Sequence, residues 1–247
     1  MRVLSDEIVA GELEEGDQLP REEDLAERFG VSRGVVRECI RAMEERGLIS
    51  VVHGRPGATV NGSEHWNVFD ADVVGTMLAS RRSSEVLAHY LEFRRIIEVE
   101  AAGLAAKRAR REDLAAMAAA LERMEAAVQR REGRVAEDLF HQADVSFHQA
   151  LVGATGNPAL IGMAKTIHAA LLKARYPLAR PQYRTERALP EHRRIFEAVA
   201  AGDERKAREA MANHLQTIEG YLIEYGGGES SDGRPVAPRK RPARTPS

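Results

Sequence analysis

The sequence predicts a mainly α protein in which an N-terminal winged helix-turn-helix is followed by an all-α helical bundle. Three observations carry that expectation. Two short amphipathic periods, Glu22 to Phe29 and Arg33 to Arg46, are separated only by Gly30-Val31-Ser32, the length of a tight interhelical turn. Behind them, the apolar runs Leu48 to Val52 and Ala58 to Val60 flank His53-Gly54-Arg55-Pro56-Gly57, a β-hairpin pattern with a basic, glycine-containing tip. From about residue 84 to 225 the chain is rich in Ala, Leu, Arg and Glu at helical spacing, with no competing strand-like alternation.

The first part, residues 1 to 61, begins with a short helix carrying Leu4 and Ile8 on one face, then a turn-rich connector from Gly11 to Leu19 ending in Pro20. The second helix buries Leu25, Ala26 and Phe29. Ser32 is placed to cap the third, because its hydroxyl accepts a hydrogen bond from a free N–H of the first turn. In that third helix Val36, Cys39, Ile40 and Met43 form an inward stripe, while Arg33, Arg37 and Arg41 recur every four residues on the opposite side. Three arginines on one face call for an anion. Preceded by a helix and a tight turn, they match the arrangement that lowers a recognition helix into the major groove of DNA.

Residues 62 to 83 read as a packed linker, with the only tryptophan, Trp66, in the stretch Glu64 to Asp72. The bundle, residues 84 to 225, divides into about six helices. Glu85 to Arg108 carries Leu87, Leu91, Ile97, Ala101 and Leu104; Glu112 to Arg131 carries Leu114, Met117, Leu121, Met124 and Val128. After Gly133 come Val135 to Val152, Ala159 to Ala174 with Pro158 at its start, a segment around Leu189 to Ala200, and a last helix capped by Asp203 and running to Tyr225. Residues 226 to 247, glycine-rich and then rich in Pro, Arg and Lys, read as a disordered tail without a function.

Composition narrows the possibilities. At 247 residues the chain has room for two cores. Its 36 basic and 38 acidic residues nearly cancel, so a nucleic-acid partner must be met by a local patch rather than a global field. Cys39 is the only cysteine, which excludes an intramolecular disulfide and any zinc finger built on cysteine pairs. No apolar signal core follows Met1, and no run of eighteen or more apolar residues occurs, so the expectation is a soluble, cytoplasmic protein with no membrane partner.

Within the bundle, Asp144 and His148 are one helical turn apart, and His192 and His214 lie on two further helical segments that border an apolar core. Imidazole and carboxylate together suit Zn, Ni, Mn or Fe(II) rather than Ca. His141 is a rival ligand, since His141, Asp144 and His148 stand at i, i+3 and i+7. His53, His65, His89 and His168 have no such company and read as surface, wing or packing residues.

The pattern Gly11, Gly16, Leu19-Pro20, Leu25-Ala26, Phe29-Gly-Val-Ser-Arg33 and Val36-Arg37 resembles the GntR family of bacterial transcription regulators, and His53-Gly54 resembles its FadR branch. Glu92-Phe-Arg94, Glu98, Asp144 with His148, Asn157, Leu189-Pro with His192, Gly202-Asp203 and His214-Leu215 resemble the FCD effector domain of that branch. The resemblance implies a homodimer on operator DNA. It implies base contacts from Arg33 and Arg37, backbone or phosphate contacts from Ser32 and Gly34, and minor-groove entry by His53 and Gly54, beside Arg55 at the same tip. Glu23 departs from it, an acid where a DNA-contacting arginine is expected; either Arg21 substitutes from nearby or the chain reads a variant operator. The first helix also begins almost at Met1, several residues sooner than in relatives, as though the start were late.

The same resemblance implies Asp144, His148, His192 and His214 as ligands of a divalent metal with open positions for a small carboxylate effector. Arg94 is the candidate to grip that carboxylate, against the alternative of a salt bridge to Glu98 one turn on. The linker Trp66 to Val73 is similar to that of relatives responding to sugar acids such as galactonate. The expected function is a metal-dependent, ligand-responsive repressor of a catabolic operon, not an enzyme. The alternatives are a metallohydrolase using the same four residues, which lacks an evident general base, and an acyl-CoA sensor, which would need no metal ligands.

Overall fold

The computed structural model describes residues 2–51, 57–80, 83–130, 133–173 and 187–225. The expected wing tip, His53, Gly54 and Arg55, and the expected tail from residue 226 lie outside the described residues. Contacts divide the chain into two compact units that part at Val86, inside the first turns of a long helix.

The first unit is built on α1 (Arg2–Ala10), α2 (Glu22–Phe29), α3 (Arg33–Glu45), an antiparallel pair β1 (Ile49–Val51) and β2 (Ala58–Val60), a 3-10 turn (Ser63–His65) and α4 (Ala71–Ala79). In the pair Ile49 faces Val60, Ser50 faces Thr59 and Val51 faces Ala58. Gly30 ends α2 at φ 63°, a left-handed conformation that only glycine adopts without cost, and its N–H closes the last turn on the Glu27 carbonyl. Two residues later the Ser32 hydroxyl accepts from the Val35 N–H at 3.4 Å and starts α3. These two residues set the angle between the helices. Leu4, Ile8, Leu25, Val36, Met43, Leu48, Ile49 and Val60 close one core beneath them, with Ala26, Phe29, Ile40 and Trp66 packed at its edge.

The segment expected as a linker is therefore partly helix. Asp70 caps α4 by accepting from the N–H groups of Asp72 and Val73, and Val73 and Val74 are buried in the first unit. Arg46, at the end of α3, reaches Asp70 at 3.2 Å and Asp72 at 2.8 Å. The Asn67 N–H donates to the Arg46 carbonyl, and the Trp66 indole N–H to the Asn61 carbonyl. Gly47 lies at φ 72° under this crossing, where a Cβ would run into the His65 carbonyl oxygen.

The second unit contains α5 (Ser83–Arg108, from Leu87 on), α6 (Arg111–Gln129), α7 (Arg134–Gly153), α8 (Pro158–Lys173, to His168), α9 (Leu189–Ala200) and α10 (Glu204–Tyr225). Each starts and stops within two residues of the sequence expectation, and Asp203 caps α10 by accepting from the Lys206 N–H. Met117, Met124, Phe147, Leu151, Ile195, Met211 and Ile218 fill its core. Helix α5 differs from the expectation in which residues it turns inward. Leu87, Leu91, Arg94, Glu98, Ala101 and Ala105 form the buried stripe, while Ile97 and Leu104 are only half-buried. An arginine and a glutamate thus occupy core positions. No described helix is long and apolar enough to cross a membrane.

Candidate metal centre and nucleic-acid interface

Three helices bring one carboxylate and three imidazoles together in the second unit. Asp144 and His148 are one turn apart on α7, His192 comes from the first turn of α9 and His214 from the middle of α10. One ligand atom from each lies within 4.8 Å of all the others, and all four residues are buried. His192 Nε2 is 3.1 Å from Asp144 Oδ1 and 3.2 Å from His148 Nε2. His141, the rival, is half-buried and is not among the four.

The groups behind the rings decide what the ring nitrogens offer. His192 Nδ1 lies 2.7 Å from the Ala188 carbonyl, which can only accept, so Nδ1 carries the proton. His214 Nδ1 is 2.9 Å from Glu191 Oε2. His148 Nδ1 is 2.7 Å from Glu98 Oε2, a charge contact whose angle falls short of a linear hydrogen bond. With Nδ1 of every ring turned toward one of these oxygens, each Nε2 points inward. His214 Nε2 is buried and has no hydrogen-bond partner among the described residues.

Burial drives His148 and His214 below the ordinary histidine range, outweighing the pull of Glu98 on the former and of Asp144 on the latter. Burial alone would raise the Asp144 carboxyl; the hydrogen bond and charge of His192, then His148 and Arg94, hold it far below its ordinary value instead. The result is a buried pocket in which one carboxylate and three ring Nε2 atoms converge, the Asp144–His192 contact being the one a cation would replace. Such a set is satisfied by a cation. A common ion about 2.0–2.2 Å from each ligand requires separations under roughly 4.4 Å, so the widest gap would close by a few tenths of an ångström.

Beneath the four lies a second buried layer that the sequence reading only partly foresaw. Glu98 is 1 % exposed and serves three cations or donors at once. Arg94 Nε reaches Oε1 at 2.7 Å and Nη2 reaches Oε2 at 3.3 Å; His168 Nε2 is 2.9 Å from Oε1, and His148 Nδ1 faces Oε2. Burial would raise this carboxyl, but the Arg94 charge, together with the close contacts of His148 and His168, holds it well below the ordinary range. His168, read as a surface, wing or packing histidine, is 1 % exposed, stands outside the group of four and shares Glu98 with His148. Arg94, the candidate carboxylate clamp, is 4 % exposed and paired with Glu98, the alternative left open for it. Glu191, behind His214, was not singled out at all; burial pushes its carboxyl up from the ordinary value.

In the first unit the arginines of α3 face solvent, and each meets a carboxylate. Arg33 Nη1 is 2.9 Å from Glu23, Arg37 grips both oxygens of Glu22 at 3.3 and 2.9 Å, and Arg41 is 3.6 Å from Glu38. The Arg37 hydrogen bond holds the Glu22 carboxyl below its ordinary value and raises the guanidinium in turn. Arg21 is exposed at the start of α2, where its N–H donates to Asp24 at 3.3 Å. Gly34 opens the exposed side of α3 beside Arg33.

Comparison with known proteins fits both halves of this geometry. Residues 2–59 match the family described as bacterial regulatory proteins, gntR family, and residues 89–217 match the FCD domain. The chain belongs to the GntR family. It is 31 % identical over 225 residues to the HTH-type transcriptional regulator LutR of Bacillus subtilis, covering 88 % of this chain and 97 % of that one. It is also 31 % identical over 223 residues to the galactonate operon transcriptional repressor of Escherichia coli, covering 90 % and 94 %. Among solved structures, Lar, which controls the expression of the Listeria monocytogenes agr system, superposes with a TM-score of 0.63 at 24 % identity over 90 % of this chain and 94 % of that one, a likeness of fold. The protein is accordingly a DNA-binding transcriptional regulator with an FCD domain, and not an enzyme.

Proposed function

We propose that this GntR regulator is a homodimeric, cytoplasmic repressor of a catabolic operon whose operator affinity is set by a small organic acid at a divalent metal centre. The observation that carries the reading is the buried convergence of Asp144, His148, His192 and His214, with His214 Nε2 lacking a hydrogen-bond partner among the described residues. These four residues would hold Zn, Ni, Mn or Fe. The ion would supply a positive centre, with open positions, for an effector carboxylate. The donor set favours these metals over Ca, since three of four ligands are nitrogen.

The chain's own residues do the rest. Glu98, Ala188 and Glu191 fix the three rings with Nε2 inward, so no ring has to reorient when the pocket is filled. Arg94 keeps Glu98 charged and, close to the ligands, is the cation that an arriving carboxylate would compete for. On this reading residues 1–61 are the reading head, 62–83 the connection and 84–225 the sensor, with 226–247 a tail. Arg21, Ser32, Arg33, Gly34 and Arg37 face the operator from α2 and α3, joined by His53, Gly54 and Arg55 from the wing tip. Two heads in a dimer call for a pseudo-palindromic site. The relative that represses the galactonate operon supports both the sign of regulation and a sugar acid as effector.

Metal analysis of the purified protein, followed by a thermal-shift screen of organic acids against the loaded protein, tests the reading. A ligand at 100 times its Kd adds about 2.7 kcal/mol of stability, and the same acid should dissolve the complex with operator DNA. A protein that purifies without metal, takes up none and binds its operator regardless of every acid tried would overturn it.

A further inference from the structure

The helix pair that should meet DNA is acidic. Between Glu22 and Glu45 it carries seven carboxylates against four arginines, and the three arginines of the exposed face of α3 each have a carboxylate within 4 Å. Phosphate attraction, which supplies most of the affinity of a protein for DNA of any sequence, is therefore blunted where α3 would approach the duplex. Glu23 is the pointed case. It lies on α2, not on the recognition helix, and its carboxylate is 2.9 Å from Arg33 Nη1, with both side chains more than half exposed. Nothing buried requires this pair.

We infer that Glu23 is a specificity-determining residue that acts through Arg33, lowering affinity for non-cognate DNA while leaving the cognate contact intact. The inference rests on the reading that α3 enters the major groove. A guanidinium has five N–H donors in a planar fork. Arg33 can keep Glu23 on Nη1 and still present its other edge to guanine O6 and N7, so the pair persists in the cognate complex and holds the fork in one orientation. A phosphate offers no such partition: it attracts Arg33 as a point charge and repels Glu23 at the same time. The neutralised pair also releases no counterion at that position, which makes binding less dependent on salt.

The experiment uses the full-length protein and two duplexes of equal length and composition: one selected by the wild type from a randomised library, the other a shuffled version. Glu23→Gln should strengthen binding to the shuffled duplex about 10-fold, change the selected one less than about 3-fold, and steepen the slope of log K against log salt by about 1. With Arg33→Ala in the background, the effect of Glu23→Gln should vanish. Glu27→Gln, an exposed acid on the same helix, measures the plain effect of removing one charge. Equal gains on both duplexes, a gain no larger than that of Glu27→Gln, or a gain that survives without Arg33 overturns the inference. Loss of selected-duplex binding in Glu23→Gln, with shuffled binding unchanged, overturns it too and makes Glu23 a direct base reader. If Arg33→Ala leaves selected-duplex binding untouched, the placement of α3 fails first, and the sensor reading stands apart from that result.

Discussion

Two arginine–glutamate pairs of nearly equal length behave as different objects in the two units. Arg94 and Glu98 are 2.7 Å apart with side chains 5 % and 2 % exposed, whereas Arg33 and Glu23 are 2.9 Å apart and 59 % and 65 % exposed. Distance does not distinguish them; water does. The buried pair has given up the hydration of two charges and recovers it only through a network of Arg94, His148 and His168 around one carboxylate, so removing any partner strands a charge. The exposed pair keeps its hydration, and breaking it costs little. The second unit thus holds its pair in a buried network, and the first unit carries its pair on the surface, where it can be exchanged for the charges of another molecule.

The sharpest way to break that contrast is Glu98→Ala, which should cost about 3–5 kcal/mol in a denaturant melt by removing the one buried carboxylate that Arg94, His148 and His168 share. A loss below about 1 kcal/mol would mean the pocket takes in water and the network is not dry. Next in size, Leu25→Ala empties a fully buried site between α2 and α3 and should cost about 2–5 kcal/mol, mostly as lost stability of the reading head. Glu191→Ala tests the layer behind the ligands: metal affinity should fall about 10–100-fold by competition with a chelator, with operator affinity in the absence of effector little changed. Acid should loosen the same layer. His148 and His214 are held below the ordinary histidine value in the folded chain, so the unfolded chain binds more protons; their contribution is complete above about pH 6.5 and is lost as pH falls below it. Asp144 and Glu98, also lowered, add a further loss below about pH 4.5. Metal-free protein should keep its stability from pH 8 to about 6.5 and lose it steadily below, and a profile flat down to about pH 5 would contradict the lowered His148 and His214. Smallest of all, Arg28→Gln, which removes an exposed bidentate pair with Glu7, should change stability by less than about 1 kcal/mol.

What could be read in advance follows the same line between local and distant causes. The bounds of α2 and α3 were legible because Gly30 and Ser32 are local signals, and α10 because Asp203 is one. Helix α4 was read as linker, although Asp70 before Val73, Val74, Met77 and Leu78 is a cap followed by an apolar face; the β-branched residues and Gly75 in a nine-residue span hid it. Residue spacing alone exposes Asp144 and His148 as a pair, with His141 as a rival on the same helix. His192 and His214 came from the family pattern, because nothing in a chain announces that residues 44 and 66 positions further on will meet. Arg94 and Glu98 were visible in a different way: they continue the spacing of Leu87, Leu91, Ala101 and Ala105, so the helix buries them whatever their charge. A polar residue in register with an apolar stripe was the missed signal. His168 needed Glu98, 70 residues away, before it meant anything.

Arg46 makes α4 a brace on α3 rather than a loose connector. Its guanidinium ties the end of α3 to the acids that open α4, its carbonyl takes the Asn67 N–H, and Gly47 beneath admits no side chain. Any displacement of α4 would have to break these contacts or carry the end of α3 with it.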